Sequence, residues 1–446
     1  MKKISLLLCI VSCMVLFSCS KSAKEDPGDN GNPIDVNKPI VVTDIKPKIG
    51  GLGTGVIING ENFGNDTSKI EVYFNEKKAL LLKVKSNVIY AMVPKQPGDS
   101  SQIRVVSKNV SKPAEGLLAH TKFQYVIKAS VTTVAGEFNV SEVKDGPALQ
   151  AHFKRPVMVA TTDDGNLFIV DDNGKRLAAL SMQDNKVYTI STDFVKPWQC
   201  ALSSNLSALF VSEQSSGTRP MLFRTVYRAD NWTQPISFYD QKDNAGNYII
   251  GSQNIYGLGA DDEYVYVITA GAQKLARIHQ QSGKVELIGE KLNLPNWNYL
   301  AYNKADGKMY IAAEDWGRIY RFDPRHIPPG KQTPWITNAD LEWLVGTGVG
   351  KPIPGIGTAA RLGSLSSIAC DGDGNVYTCD YSNDVIWKMD KNLEASIIAG
   401  TGTAGYKDGN PKEALFNNPY GICATTDGIL YVAEAANMTI RCIAIQ

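Results

Sequence analysis

Ile398-Ala399-Gly400-Thr401-Gly402, Lys407-Asp408-Gly409, Phe416-Asn417-Asn418-Pro419-Tyr420-Gly421 and Asp427-Gly428-Ile429-Leu430-Tyr431-Val432-Ala433-Glu434 follow one another near the C-terminus and decide the fold. An apolar run ends in a glycine turn, and a second short strand follows Pro419. A β-branched and aromatic run then leaves an Asp-Gly turn, so the stretch reads as consecutive strands of one small antiparallel sheet. Parts of it return upstream. Val134-Ala135-Gly136, Lys144-Asp145-Gly146 and Phe153-Lys154-Arg155-Pro156 form one copy, and Val345-Gly346-Thr347-Gly348 with Ala360-Arg361-Leu362 begins another.

The aromatic run recurs most widely. It appears as Leu167-Phe168-Ile169-Val170, Leu209-Phe210-Val211, Val265-Tyr266-Val267-Ile268, Met309-Tyr310-Ile311, Val376-Tyr377-Thr378 and Leu430-Tyr431-Val432. Aligned on the aromatic, the spacings are 42, 56, 44, 67 and 54 residues, lengths that suit four-stranded blades with variable loops. The pattern closely resembles NHL-repeat propellers, which the fifth and sixth copies match well and the first fairly well. The expected fold class is therefore all-β, with residues 129–446 forming a six-bladed NHL-like β-propeller. Blades two to four carry the pattern least, and there the count rests on spacing. After Tyr431 one further strand remains, Ile440-Arg441-Cys442-Ile443. Val131-Thr132-Thr133-Val134-Ala135-Gly136, stranded ahead of the first blade, supplies the missing outer strand, closes the ring and removes an exposed edge.

Upstream, residues 40–128 alternate in short strand-like runs: Ile40-Val41-Val42, Gly55-Val56-Ile57-Ile58, Ile70-Glu71-Val72-Tyr73-Phe74 and Ile103-Arg104-Val105-Val106. These suit a small β-sandwich. Val56-Ile57-Ile58-Asn59-Gly60-Glu61-Asn62-Phe63-Gly64 and Val88-Ile89-Tyr90-Ala91-Met92-Val93-Pro94 resemble the IPT/TIG immunoglobulin-like domains, which commonly act as spacers. Gly60 and Gly64 are expected to permit a tight or left-handed backbone, with Phe63 as a core plug.

The N-terminus reads as an address. Lys2 and Lys3 precede the apolar run 4–17, too short for a permanent membrane span and shaped like a secretory signal over residues 1–18. Leu16-Phe17-Ser18-Cys19 resembles the lipobox of bacterial lipoproteins, which implies acylation of Cys19 and a lipid anchor, each buried methylene adding roughly 0.8 kcal/mol. Residues 19–39 form the tether, rich in Ser, Asp, Asn, Gly and Pro and unable to bury a core. Lys24-Glu25-Asp26 resembles the export tag of Bacteroides-type surface lipoproteins, implying an outer-membrane location facing the exterior.

Composition narrows the function. A hydrophobic fraction of 43% excludes global disorder, and 46 basic against 45 acidic side chains argue against a nucleic-acid partner. Loops leading into the inner strand and loops leaving the second strand of a propeller blade share one face, here called the top. That face is expected to carry Trp198, Tyr256, Trp297 and Tyr420 on the lead-in side, and Trp316 and Tyr381 on the exit side. Flat aromatic faces stack on sugar rings while Arg318, Asn296, Asn298 and Asp315 bond hydroxyls. The same aromatics would alternatively wedge between blades as packing.

Asp171, Glu213, Asp380 and Glu434 follow the second strand in four blades, with Glu314 one residue late. A metal ring or an acid/base pair is one reading. In NHL propellers an acid at this point bonds loop backbone. His120, His152, His279 and His326 fall in unrelated places, which disfavours the zinc-dependent lyases of this fold, and no Gly-x-Ser-x-Gly nucleophile motif is present. Beyond Cys19 the mature chain has Cys200, Cys370, Cys379, Cys423 and Cys442, an odd number. Cys200, Cys370 and Cys423 sit at similar inner-strand positions and read as small hydrophobes. The expectation is a surface lipoprotein without cofactor that binds a glycan or glycan fragment for a neighbouring outer-membrane importer or other surface lipoproteins. A calcium-dependent carbohydrate lyase or lactonase and a protein-interaction scaffold are the alternatives.

Overall fold

The computed structural model describes residues 32–444, apart from 96–99, 109–114, 118–121, 127–128, 163–164, 215–220, 252–253, 271–273 and 328–333. Cys19, the signal segment and His120 lie outside the described residues.

Alternating apolar residues build the first sheet of the sandwich, in the order Val41–Lys46, Gly55–Glu61, Val88–Met92, Leu80–Lys85. A second sheet runs Glu115–Leu117, Ile103–Ser107, Ile70–Phe74, Lys77–Lys78. Between them Ile45, Ile58, Phe63, Val72, Phe74 and Phe123 are fully buried, with Phe74 edge-on to Phe123 at 5.2 Å. Phe63 is thus the core plug the sequence implied. Gly64 has the left-handed φ of 79°. Gly60 serves another purpose: a Cβ there would collide with the Val41 carbonyl oxygen and the Phe63 ring.

Residues from Ser130 onward form six antiparallel sheets of at least four strands, one for each aromatic run, arranged as a six-bladed propeller. The inner strands are Pro156–Thr161, Pro197–Leu202, Ile255–Ala260, Asn298–Asn303, Leu365–Cys370 and Pro419–Ala424. The aromatic runs are the second strands, Asn166–Asp171, Ala208–Glu213, Tyr264–Thr269, Lys308–Ala313, Val376–Asp380 and Ile429–Glu434. Blades two to four, weakest in sequence pattern, are regular four-stranded sheets. Ring closure is as the chain ends implied: Ser130–Ala135 pairs with Thr439–Ala444, Val131 opposite Ile443 and Thr133 opposite Arg441. Val131 and Gly409 also exchange two backbone hydrogen bonds of 2.8 and 2.9 Å.

The sandwich touches the bottom of the propeller. Leu52 and Met92 join the apolar cluster of Ile429, Tyr431 and Leu180, and Lys95 Nζ lies 3.1 Å from Asp373 Oδ2. No helix among the described residues is long and apolar enough to cross a membrane.

Candidate functional site

In five blades the register between inner and second strand slips just after the first residue of the inner strand, a β-bulge that leaves the second residue outside the ladder. Trp198, Tyr256 and Tyr420 occupy that place in blades two, three and six. Trp198 packs against Trp297 at 5.5 Å and Tyr420 at 5.7 Å, and Tyr256 stacks on Trp297 at 3.8 Å and 19°. Tyr381 adds itself through Tyr420 at 5.8 Å. Five of the predicted aromatics therefore form one connected group at the top of the channel. Trp198 and Tyr420 are buried, while Tyr256, Trp297 and Tyr381 are half-buried. The indole Nε1 of Trp198 is buried with no partner among the described residues.

Trp316 and Arg318 stand apart from that group. Trp316 packs against the apolar cluster shared by blades three and four, and the Arg318 guanidinium lies between Trp316 at 5.5 Å and Trp343 at 4.3 Å. Asn298 is fully buried; its Nδ2 donates to the Pro295 carbonyl, while its Oδ1 is buried with no partner among the described residues. Asn296 and Asp315 are exposed.

The acids after the second strand divide in two. Asp171 accepts from the backbone of Lys154 and Arg155 and from Arg176; Glu434 accepts from Asn417 N, Asn437, Thr439 and Arg441. Asp380 accepts from Gly363 N and the Trp387 indole, and Glu213 from the backbone of Val195 and Lys196 and from Arg224. Each therefore fastens the loop leading into its own blade's inner strand. Glu314 does otherwise. Blade four has no bulge: Asn298 pairs with Ala313 and the register runs on unbroken. Ala313 occupies the usual acid position, and Glu314, one residue later, accepts from Tyr381 at 2.7 Å and Tyr299 at 3.0 Å. The Tyr299 hydroxyl also lies 3.1 Å from that of Tyr420. Burial, only partly offset by these donors, holds the Glu314 carboxyl above its ordinary range. Burial likewise pushes Tyr381 up to about 12 and raises Tyr299 and Tyr420 further, so all three hydroxyls remain protonated donors.

Arg155, Tyr299 and Trp343 escaped the sequence reading. Arg155 lies over the rings of both Trp198 (5.7 Å) and Tyr420 (5.6 Å) and donates to Asp172 at 2.7 Å. Its place directly before Pro156, where the first inner strand begins, was the available signal. Among the described residues no three His, Cys, Asp or Glu side chains group as a metal site. Cys379 and Cys423 are buried and Cys200, Cys370 and Cys442 half-buried, and all five are unpaired.

The family of IPT/TIG domains matches residues 39–125. Over 90 residues, 20% of this chain, the sequence is 38% identical to the Arabidopsis thaliana protein SUPPRESSOR OF QUENCHING 1, chloroplastic, of which that stretch spans 8%. A Bacteroides thetaiotaomicron protein of unknown function superposes with a TM-score of 0.63 at 24% identity, covering 93% of this chain and 100% of its own. Two proteins described as auxiliary nutrient binding proteins are also similar. The one from Bacteroides ovatus has a TM-score of 0.61 at 19% identity, covering 93% and 99% of the two chains. The one from Bacteroides thetaiotaomicron has 0.60 at 21%, covering 92% and 99%. These likenesses extend over nearly the whole of both chains and show a shared fold.

Proposed function

We propose that this chain is a surface lipoprotein that captures a glycan, or a fragment of one, on the top face of its propeller. The observation that carries this reading is the connected group Tyr256–Trp297–Trp198–Tyr420, two half-buried rings backed by two buried ones. Aromatic faces bind the C–H faces of sugars, and the neighbouring hydroxyls of Tyr299 and Tyr381, the Glu314 carboxyl and the unpartnered Trp198 Nε1 offer the polar contacts that fix orientation. Proteins of the same fold described as auxiliary nutrient binding proteins support a nutrient-binding role. In this proposal Cys19 carries the lipid, residues 20–39 form the tether, and the propeller follows the NHL pattern. The cell-surface location and a neighbouring outer-membrane importer as partner belong to the same proposal.

Enzymatic turnover is the less favoured reading, because Asp171, Glu213, Asp380 and Glu434 are spent on loop N–H groups, which leaves Glu314 as the single exit acid among the described residues not so engaged. The test is affinity electrophoresis of residues 20–446 against a panel of host and plant polysaccharides, with product detection on the same samples. Retardation without product is the expected result. Product formation would replace capture with catalysis, and neither across the panel would move the assignment to a protein scaffold.

A further inference from the structure

The C-terminal halves of the six inner strands and the loops that follow them surround the bottom of the propeller's channel. Below the interlocked aromatics lies a cavity of about 460 Å³ whose lining comes from all six blades. Each blade contributes an alanine: Ala160, Ala201, Ala260, Ala301, Ala369 and Ala424. Small side chains there hold the channel open at a volume within the range of small-molecule sites.

The wall's chemistry differs from that of the top face. Each inner strand is the edge of its sheet, so half of its N–H and C=O groups point toward the channel rather than toward a partner strand. Near the top, side chains meet these groups: Gln199 bonds Tyr256 O at 2.7 Å, Asn298 O at 3.1 Å and Leu258 N at 2.8 Å, and Ser366 bonds Tyr420 O at 2.9 Å. Alanine has no polar atom with which to do this, so the alanine ring leaves backbone amides reachable, and the hydroxyl-bearing residues Thr161, Ser203, Ser204 and Thr426 complete the lower wall. Tyr302 is the single aromatic in the lining, so the stacking surface a sugar needs is missing.

Two charged side chains reach the lining. Asp371 is consumed by its own turn, accepting from Asp373 N, Asn375 N, the Asn375 amide and the Tyr377 hydroxyl. Lys304 is exposed and, among the described residues, has no hydrogen bond or ion pair. The sandwich borders the mouth beside blades five, six and one, through Lys95 on Asp373, Gly53 against Ile429 and Leu82 beside Gly165.

We infer that this cavity is a second binding site, for a compact, mainly apolar small molecule carrying one anionic group that meets Lys304 at the rim. The inference is independent of the glycan reading: it concerns the opposite face and a different ligand chemistry.

The test uses two fluorescent probes of one shape, anionic anilinonaphthalene sulfonate and neutral phenylnaphthylamine, on the protein of residues 20–446. Both are expected to bind saturably at one site. K304Q, a surface change, is expected to weaken the sulfonate about two- to fivefold while leaving the neutral probe unchanged. Ala301 lines the cavity and supplies a local readout. A301L, which fills part of the space, is expected to weaken both probes at least about fivefold in a variant that melts like wild type. Absence of saturable binding by either probe overturns the site. Undiminished binding in folded A301L places the probes elsewhere and also overturns it. Equal sulfonate affinity in K304Q overturns the anionic half of the assignment. Glycan retardation in the same preparations reports separately on the top face.

Discussion

The Tyr299 hydroxyl donates to the Glu314 carboxyl across 3.0 Å, linking the inner strand of blade four to the loop that leaves its second strand. No arginine or lysine bonds Glu314 among the described residues; its two oxygens meet tyrosine hydroxyls alone. The carboxyl of Glu434 in blade six, by contrast, is held by a guanidinium and a backbone N–H. Where a repeat breaks its own rule, the break marks the place that packing alone does not explain.

The upward shift at Glu314 has a consequence with a fixed sign. An acid whose ionisation is pushed upward on folding retains its proton longer in the native state. Its contribution is complete at acid pH and is lost as pH rises through the shifted value. Urea unfolding of wild type and E314Q is therefore expected to diverge progressively in favour of E314Q as pH rises from about 4 toward neutrality. A constant difference across that range would contradict the buried, cation-free environment.

Glu434 and Arg441 form a pair at 2.8 Å with both side chains fully buried. Arg441 also holds Asp408 at 2.6 Å, so removing Glu434 leaves the guanidinium paired but with an unmet donor. E434A is expected to cost about 1–3 kcal/mol in chemical denaturation. Loss below about 1 kcal/mol would show that water reaches Arg441.

The last blade borrows its outer strand from residues 130–135, and Val131 and Ile443 are fully buried across that seam. Deleting residues 130–137 is expected to abolish the cooperative melting of the propeller in circular dichroism. An unchanged transition would mean that the ring closes without this strand.

Trp316 and Trp297 separate packing from recognition. Both are half-buried at the margin of a core cluster, but Trp316 leans on the one between blades three and four whereas Trp297 also stacks on the half-buried ring of Tyr256. W316A is expected to lower stability by about 2 kcal/mol with glycan affinity retained, measured by melting and affinity electrophoresis. W297A is expected to lose affinity with a smaller change in stability. The reverse pattern would exchange their roles.

Much of the architecture was legible because it repeats. Phe168, Phe210, Tyr266, Tyr310, Tyr377 and Tyr431 each mark a second strand, and an aromatic flanked by β-branched residues has few other places to go. The chain's unmatched first and last strands announced their own pairing. The site was only partly readable. Trp198, Tyr256, Trp297, Tyr381 and Tyr420 do meet, because their positions recur relative to the strands. Trp316 occupies an equivalent loop and turns outward to the core, since its direction depends on neighbours in blade three that no local pattern encodes. The late position of Glu314 was visible, yet its cause, the missing bulge at Asn298, is a matter of register. The lower cavity was hidden for a similar reason: its alanines are unremarkable singly and acquire meaning when six edge strands bring them into one ring.

The most direct test of the glycan reading is a titration of the Y256A/W297A double variant and wild type with the polysaccharide that retards the wild-type protein, following intrinsic tryptophan fluorescence and thermal melting together. The account predicts saturable binding to wild type and at least about a tenfold loss in the folded variant, since each aromatic contact contributes on the order of 1 kcal/mol. Undiminished affinity in a variant that melts like wild type would contradict it and remove the ligand from the top face.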